Sequence, residues 1–164
     1  MANEKDIVES PKSTAQIELH GTHEFKVDSK GRLTLPAKFR KVLPPDLVVT
    51  LDPLNEYLMA FTPAGFSEWA KKFVEDATGE FMTNNKKQLD LRRRIMSRAD
   101  DVEVDSAGRI TLKANMRKAA GIEKNVVVIG NDNYFEIWAE ERLEQSENLD
   151  IDGAFSESLA DFMN

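Results

Sequence analysis

A segment of thirteen residues occurs twice in this chain, and this duplication constrains the fold more than any other feature of the sequence. Residues 28–40 read DSKGRLTLPAKFR and residues 105–117 read DSAGRITLKANMR, with eight identities at a constant offset of 77 residues. The match is ungapped, and changes such as Leu33 to Ile110 keep an apolar side chain. We therefore infer an internal duplication. Two copies are too few for a solenoid, so we expect two units that fold against each other.

Each copy predicts a strand, a tight turn, a second strand and a short helix. In the first copy residues 25–27 alternate apolar and polar side chains, as half-buried strands do, and residues 33–35 alternate again. Between them, Asp28 can accept a hydrogen bond from the backbone two residues on, and Gly31 can adopt the positive φ that closes a hairpin with a bulge. A proline then suits the first position of a helix, which we expect to end at the next proline pair.

Beyond the motif, each copy continues with a predicted hairpin. Residues 47–51 and 57–61 form it in the first copy, and residues 126–129 and 134–138 form it in the second. The tyrosines that open the later strand of each hairpin are again 77 residues apart. The duplication therefore extends well past the motif.

Two helices are predicted between the copies. Thr62 precedes a proline and suits an N-cap, and the helix that follows carries an aromatic and apolar face until Gly79 ends it. A second helix, rich in lysine and arginine, is expected from about residue 80 to 98. Its expected inward residues are Leu89, Ile95 and Met96. The second copy lacks this insert.

The sequence thus divides into five parts. Residues 1–18 are polar and without an apolar pattern, which predicts a flexible arm. The first unit, the helical insert and the second unit occupy residues 19–62, 63–98 and 99–145. Residues 146–164 form an acidic tail.

The tail has two interpretations. Its apolar residues are widely spaced, which favours disorder. A helix at about 154–163 that docks on a neighbouring chain is the alternative. A shorter helix is expected just before the tail, at about 139–145.

The charge distribution matters more than the net charge of −7. Residues 140–164 hold eight acidic residues and one basic residue, so the preceding part of the chain is neutral, with 21 residues of each sign. Residues 20–43 hold six basic residues against two acidic ones. A local positive face of this kind suits DNA, although charge runs are more often solvated surface.

Several classes of protein are disfavoured by what the sequence lacks. It has no cysteine, which excludes disulfides and cysteine-based metal sites and favours a reducing compartment. His20 and His23 lack a third metal ligand at a suitable spacing, so we expect no metal and no cofactor. No phosphate-binding glycine loop or nucleophile motif is present, so we expect no catalytic residues and no enzyme. The first residues are too polar for a signal peptide, and no run reaches membrane-spanning length, which predicts a cytoplasmic protein without a membrane partner.

The strand, Asp-x-x-Gly-Arg turn, strand and Pro-Ala-Lys-Phe-Arg helix start resemble the swapped-hairpin DNA-binding module of AbrB-type proteins. Two tandem copies separated by a helical insert resemble the MraZ family, bacterial regulators encoded at the head of the division and cell-wall gene cluster. The resemblance covers roughly residues 19–145. The chain departs from the family pattern in its N-terminal arm, its long acidic tail, and Ala107 and Lys113 in the second copy.

The resemblance implies an α+β fold of two tandem AbrB-like swapped-hairpin units, interleaved in a pseudo-twofold β-barrel with short helices and a two-helix insert. It also implies a sequence-specific regulator of transcription that forms a homo-oligomeric ring. Such rings bind double-stranded DNA at short direct repeats upstream of their own operon. We accordingly expect a nucleoid-associated cytoplasmic protein.

The arginines of the motif have two interpretations. A guanidinium matches the O6 and N7 acceptors of guanine in the major groove. Arg32 and Arg109 could equally form structural ion pairs with Asp28 and Asp105, and the resemblance favours DNA. The residues expected to contact DNA are Arg32, Lys30, Lys26, Lys38 and Arg109. The residues expected to support the motif are Asp28, Gly31, Asp105, Gly108, Arg40 and Arg117.

Two further functions remain open. Antidote proteins of toxin–antidote pairs share the module, but they usually carry one copy and a toxin-binding tail. A ring with a purely structural role and no DNA partner is the other.

Overall fold

A computed structural model describes residues 17–79, 85–150 and 154–163. These residues form an α+β fold, as expected from the sequence. The flexible arm predicted for residues 1–18 lies almost entirely outside the described residues. The strands are β1 (Thr22–Lys26), β2 (Arg32–Thr34), β3 (Asp46–Leu51), β4 (Leu58–Phe61), β5 (Asp100–Glu103), β6 (Arg109–Thr111), β7 (Asn125–Asn131) and β8 (Tyr134–Ala139). The helices are α1 (Ala37–Arg40), α2 (Pro63–Thr78), α3 (Lys86–Ser97), α4 (Ala114–Ala119), α5 (Glu140–Asp150) and α6 (Ala154–Met163).

The strands form one antiparallel sheet of six and a separate ribbon of two. The sheet has the order β1-β7-β8-β4-β3-β5, and the ribbon pairs β2 with β6. In the sheet, β1, β3 and β4 of the first unit correspond to β5, β7 and β8 of the second. Exchanging these counterparts gives the same strand order, read from the other edge of the sheet. The central pair has the same property, because the register places Met59 opposite Glu136, residues that are 77 apart.

Strand pairing differs from the local hairpin that the turn signal predicts. β1 pairs with β7 and β2 pairs with β6, so each strand flanking the first turn joins the second unit. In the same way β5 pairs with β3 of the first unit. The hairpin expectation is therefore wrong in its pairing, although the turn itself forms at the predicted place. Pairing β2 with β6 lets Leu33 and Ile110 lie opposite each other and become fully buried.

The main core lies inside the sheet and the ribbon and draws on both units. Leu33, Phe39, Val49, Ile110 and Phe135 are each fully buried within it. Phe39 packs at a tilt against Phe135, with the ring centroids 5.6 Å apart. A core built this way ties the two units together, because neither unit buries its apolar face alone.

The predicted helix after β4 is confirmed, with both of its ends. The Thr62 Oγ1 accepts a hydrogen bond from the Gly65 backbone N at 3.0 Å, and Gly79 has a φ of +70° at the C-cap. The helix covers the outer face of β3 and β4 through Phe66 and its neighbours. Trp69 packs at a tilt against Phe61 and stacks on Phe73, with centroid distances of 5.3 and 5.4 Å.

The second helix of the insert differs from expectation in its start and its buried face. It begins at Lys86, with Asn85 as the N-cap, and the expected residues 80–84 lie outside the described residues. Ile95 is buried as expected, but Leu89 and Met96 are 42% and 44% exposed. The inward face instead runs through Gln88, which is fully buried, and Leu91, which is partly buried one helical turn later.

Two other helix ends and the C-terminal segment differ from the sequence expectation. α1 stops at Arg40, short of the expected residue 43. α5 continues to Asp150 rather than ending near 145. The prediction of disorder at the end of the chain is wrong for residues 154–163, which form α6, the helix of the alternative interpretation.

Candidate nucleic-acid interface

The ribbon of β2 and β6 has two chemically different faces. Cross-strand partners in an antiparallel pair point to the same side, and neighbours along a strand point to opposite sides. Leu33 and Ile110 are partners and face the core, where both are fully buried. The other two pairs therefore point outward together. These outward pairs are Arg32 with Thr111 and Thr34 with Arg109.

The first turn, residues 28–32, holds Arg32 through the carboxylate of Asp28. Asp28 Oδ1 accepts hydrogen bonds from the backbone N of Lys30 and of Arg32, each at 2.9 Å. Asp28 Oδ2 accepts from Arg32 Nε at 2.6 Å. Gly31 has a φ of +79°, which the turn requires and which other residues rarely adopt. One carboxylate thus closes the turn and fixes the direction of the arginine.

The second turn, residues 105–109, repeats this geometry. Asp105 Oδ1 accepts from the backbone N of Ala107 and of Arg109 at 2.9 Å, and Oδ2 accepts from Arg109 Nε at 3.0 Å. Gly108 has a φ of +77°. The side chains of Arg32 and Arg109 are 32% and 33% exposed. Within the described part of the chain, both arginines bond through Nε alone, and their terminal nitrogens remain available to a ligand.

Both turn carboxylates are stabilised in their charged form. The Arg32 backbone N–H has the largest effect in lowering the pKa of Asp28, and the Arg32 side chain and the Lys30 backbone N–H lower it further against an opposing effect of burial. The pKa of Asp105 is lowered in the same way, chiefly by the Arg109 backbone N–H. Each turn therefore keeps a carboxylate beside its arginine under neutral conditions.

Each turn is also contacted by an arginine from the other unit. Arg117 of α4 lies against Gly31 and donates from Nε to the Leu112 carbonyl at 3.0 Å. Arg40 of α1 lies against Gly108. A Cβ at Gly31 would also meet the backbone carbonyl oxygen of Leu112, so glycine is favoured there for space as well as for φ, whereas at Gly108 the nearby atoms all belong to the side chain of Arg40. Arg40 and Arg117 are thus placed to link the two units.

The three predicted lysines are not all brought to the first turn. Lys26 ends β1 two residues before Asp28, Lys30 lies within the turn, and both are exposed. The Nζ of Lys38 instead lies about 3.8 Å from where a Cβ on Gly21 would be, beside the start of β1. Gly21 precedes β1 and the turn follows it, so the Nζ of Lys38 lies at the opposite end of β1 from the first turn.

Sequence reasoning overlooked Thr34 and Thr111 as members of the outward face. Each lies two residues after the motif arginine and opposite the other arginine in the ribbon. The signal was present, because Arg-x-Thr occurs at the same position in both copies. Threonine hydroxyls hydrogen-bond both to phosphates and to base edges.

Residues 17–79, 85–150 and 154–163 contain no group of histidine, aspartate and glutamate side chains arranged to hold a metal ion. Among the helices of the described residues, none has the length and apolar character needed to cross a membrane.

Comparison with known proteins identifies one family. The model of the MraZ protein family, whose description includes the words antitoxin-like, matches residues 19–91 and 95–161. A protein of Idiomarina loihiensis named Transcriptional regulator MraZ is 34% identical over 152 residues, which cover 87% of this chain and 97% of that protein. A protein of the same name from Saccharopolyspora erythraea is 41% identical over 122 residues, covering 74% and 81%. Another, from Tolumonas auensis, is 34% identical over 154 residues, covering 88% and 98%.

Proposed function

The chain belongs to the MraZ family, and from this premise we propose that it is a transcriptional regulator that binds double-stranded DNA through the outward face of the β2–β6 ribbon. Relatives that share most of its length are named as transcriptional regulators, which are not a class of enzyme. The observation that carries the proposal is the ribbon itself. It presents two arginines and two threonines on one face and is anchored to the core by the other.

The dimensions of the ribbon suit the major groove. That groove admits a two-stranded β-ribbon, and arginine in it pairs with guanine through two hydrogen bonds. Arg32 and Arg109 are diagonal neighbours across the ribbon, so their Cα atoms lie about 8 Å apart, or roughly two base-pair steps. We assign base contacts to Arg32 and, secondarily, to Arg109.

The remaining residues position the ribbon. Lys26 and Lys30 are exposed beside the first turn and suit phosphate contacts, which set register without reading sequence. We assign Lys38 to flanking phosphates, because its Nζ lies beside Gly21, at the opposite end of β1 from the turn. Asp28 and Asp105 orient the arginines, and this contact also meets the description of a structural ion pair. The ion pair and a DNA contact are compatible with the same geometry, because the ion pair uses Nε and leaves the terminal guanidinium nitrogens for DNA.

Assembly follows from the small size of one ribbon. We assign the fold to interleaved AbrB-like units in a pseudo-twofold barrel, supported by the exchange of strand partners between units. Several copies in a ring would reach adjacent direct repeats at high effective concentration, so avidity supplies the affinity that one ribbon lacks. The proposed target is the promoter of the division and cell-wall gene cluster, and the proposed location is the nucleoid.

The test compares Arg32→Ala with the unaltered chain on a labelled duplex from its own upstream region, across a salt series. We expect specific affinity to fall by about tenfold or more, since a bidentate base contact contributes roughly 1–3 kcal/mol. Arg93→Ala is the matched control, because Arg93 is an exposed arginine on α3 that also pairs with an aspartate. Unchanged specific affinity, with lowered stability, would assign Arg32 to the structural ion pair alone.

An antidote role is the second candidate, and one observation favours it. The family description includes antitoxin-like, and α6 exposes Phe162 and Met163, 89% and 81% accessible, at the end of an acidic segment. Such an apolar helix end would suit a toxin partner. Co-purification of a small protein with the full chain, lost on removing residues 154–164, would support this role.

A further inference from the structure

The two turns are alike in backbone and in their central residues but differ in the charges around them. Each has the same Asp-Ser-x-Gly-Arg sequence, the same three hydrogen bonds and an arginine from the other unit against its glycine. With these features matched, any difference in how the turns meet a polyanion depends on the flanking side chains.

Three flanking positions carry the difference. Two residues before each aspartate stands Lys26 in the first copy and Glu103 in the second. At the third position of the turn the residues are Lys30 and Ala107. The third flanking position is the cross-strand partner of the first. It is Asn125, opposite Lys26, in the first copy and Asp46, opposite Glu103, in the second. The flank of the first turn therefore has a charge of +2, and that of the second turn −2.

These side chains all face solvent, so the contrast belongs to the surface. Glu103 and Asp46 lie directly opposite each other, an arrangement of like charges that weakens strand pairing. The second copy also has Lys113 where the first has Pro36, but the Nζ of Lys113 is paired with Asp100 at 2.7 Å. That lysine is therefore held by a carboxylate instead of adding free positive charge.

We propose that only the first turn contacts the DNA backbone, and that Glu103 and Asp46 keep the second turn off the phosphates, so that each chain lies on its site in one orientation. This inference rests on the proposed function. A ribbon with twofold-related Arg-x-Thr faces would otherwise bind equally well in two opposite orientations. The carboxylates of Glu103 and Asp46 disfavour the orientation that would bring the second turn to the phosphates, as unpaired charges do in other specific complexes. A fixed orientation is what reading a direct rather than an inverted repeat requires.

Charge variants test the contribution of each turn. Lys26→Glu with Lys30→Ala should lower affinity for the chain's own promoter about tenfold or more and reduce the slope of log K against log salt by about two. Lys71→Glu with Lys72→Ala is the matched control, with the same charge change at exposed positions of α2. Glu103→Lys with Ala107→Lys should raise affinity and steepen the slope. Unchanged affinity in this last variant would contradict the repulsive role.

Orientation is tested with a cleavage reagent. The chain has no cysteine, so Ser29→Cys and Ser106→Cys each place a DNA-cleaving label at the equivalent exposed position of one turn. We expect strong cleavage on one side of each repeat from the first label, and at least fivefold weaker cleavage from the second. Equal cleavage from both labels would overturn the inference and leave the proposed function standing. Failure of the unlabelled chain to bind its promoter would overturn both.

Discussion

At the level of single residues, one carboxylate oxygen in each turn accepts two backbone N–H groups while the other holds the arginine. The arrangement explains why aspartate is needed. A shorter acceptor could not reach both the backbone and the Nε, and an amide would direct a donor at the guanidinium. The same contacts form in both turns, with every backbone bond at 2.9 Å and the Nε bonds at 2.6 and 3.0 Å, so they are a property of the local sequence and not of one environment.

The lowered pKa values of both aspartates predict a specific dependence of stability on acid. A carboxyl with a folded pKa below its ordinary 3.8 stabilises the fold above that pH, and the contribution is lost as pH falls through the folded value. We expect Asp28→Asn with Asp105→Asn to lower the urea midpoint at pH 7, and the difference from the unaltered chain to shrink below about pH 4. Asp101→Asn, an exposed aspartate on β5, is the control. Parallel midpoints over the whole pH range would contradict the assignment.

At the level of elements, local signals predicted the ends of α2 well and the buried face of α3 poorly. Thr62 and Gly79 act on backbone within a few residues, so their chemistry can be read from the sequence. In α3 the buried position belongs to Gln88, whose Nε2 donates to the Thr78 Oγ1 at 2.9 Å. Because this buried side chain is polar and hydrogen-bonds to another helix, the apolar pattern of the sequence does not reveal that it is buried. The apolar pattern consequently predicts Leu89 as an inward residue, although Leu89 lies on the exposed side.

The turn elements give the second prediction. A Cβ on Gly31 would lie 2.7 Å from the Leu112 carbonyl oxygen, which is backbone and cannot move aside cheaply, whereas at Gly79 nothing lies within 4 Å. Both glycines have a positive φ, so alanine would suffer the same backbone strain at either position. The two positions differ only in the room available for a methyl group. We expect Gly79→Ala to cost about 1 kcal/mol and Gly31→Ala roughly 2–4 kcal/mol of unfolding free energy. Denaturant titration measures both. Equal costs would mean that the ribbon can shift to admit a methyl group.

At the level of the whole molecule, the sequence predicted two units but local signals did not predict their partners. The turn at Gly31 reverses the direction of the chain, but it does not determine which strand pairs with β2. That choice comes from burial, since pairing β2 with β6 removes Leu33 and Ile110 from water together. The placement of Lys38 beside Gly21 and of Thr34 opposite Arg109 follows from the same exchange. Site residues fixed within one turn were therefore predictable, and those brought together by the exchange were not.

The acidic C-terminal segment leads to the last prediction, which concerns the field of the whole molecule. Removing residues 146–164 deletes five acidic residues and no basic one, which changes the net charge from −7 to −2. Distributed negative charge repels a polyanion over about a Debye length, roughly 10 Å at 0.1 M salt, so its removal should strengthen binding to unrelated duplex DNA. We expect a severalfold gain at low salt that disappears as salt rises, measured by fluorescence anisotropy. A full-length variant with those five residues changed to amides separates charge from length: it should show the same gain if charge is responsible. An unchanged affinity in both variants would show that the segment does not limit non-specific binding.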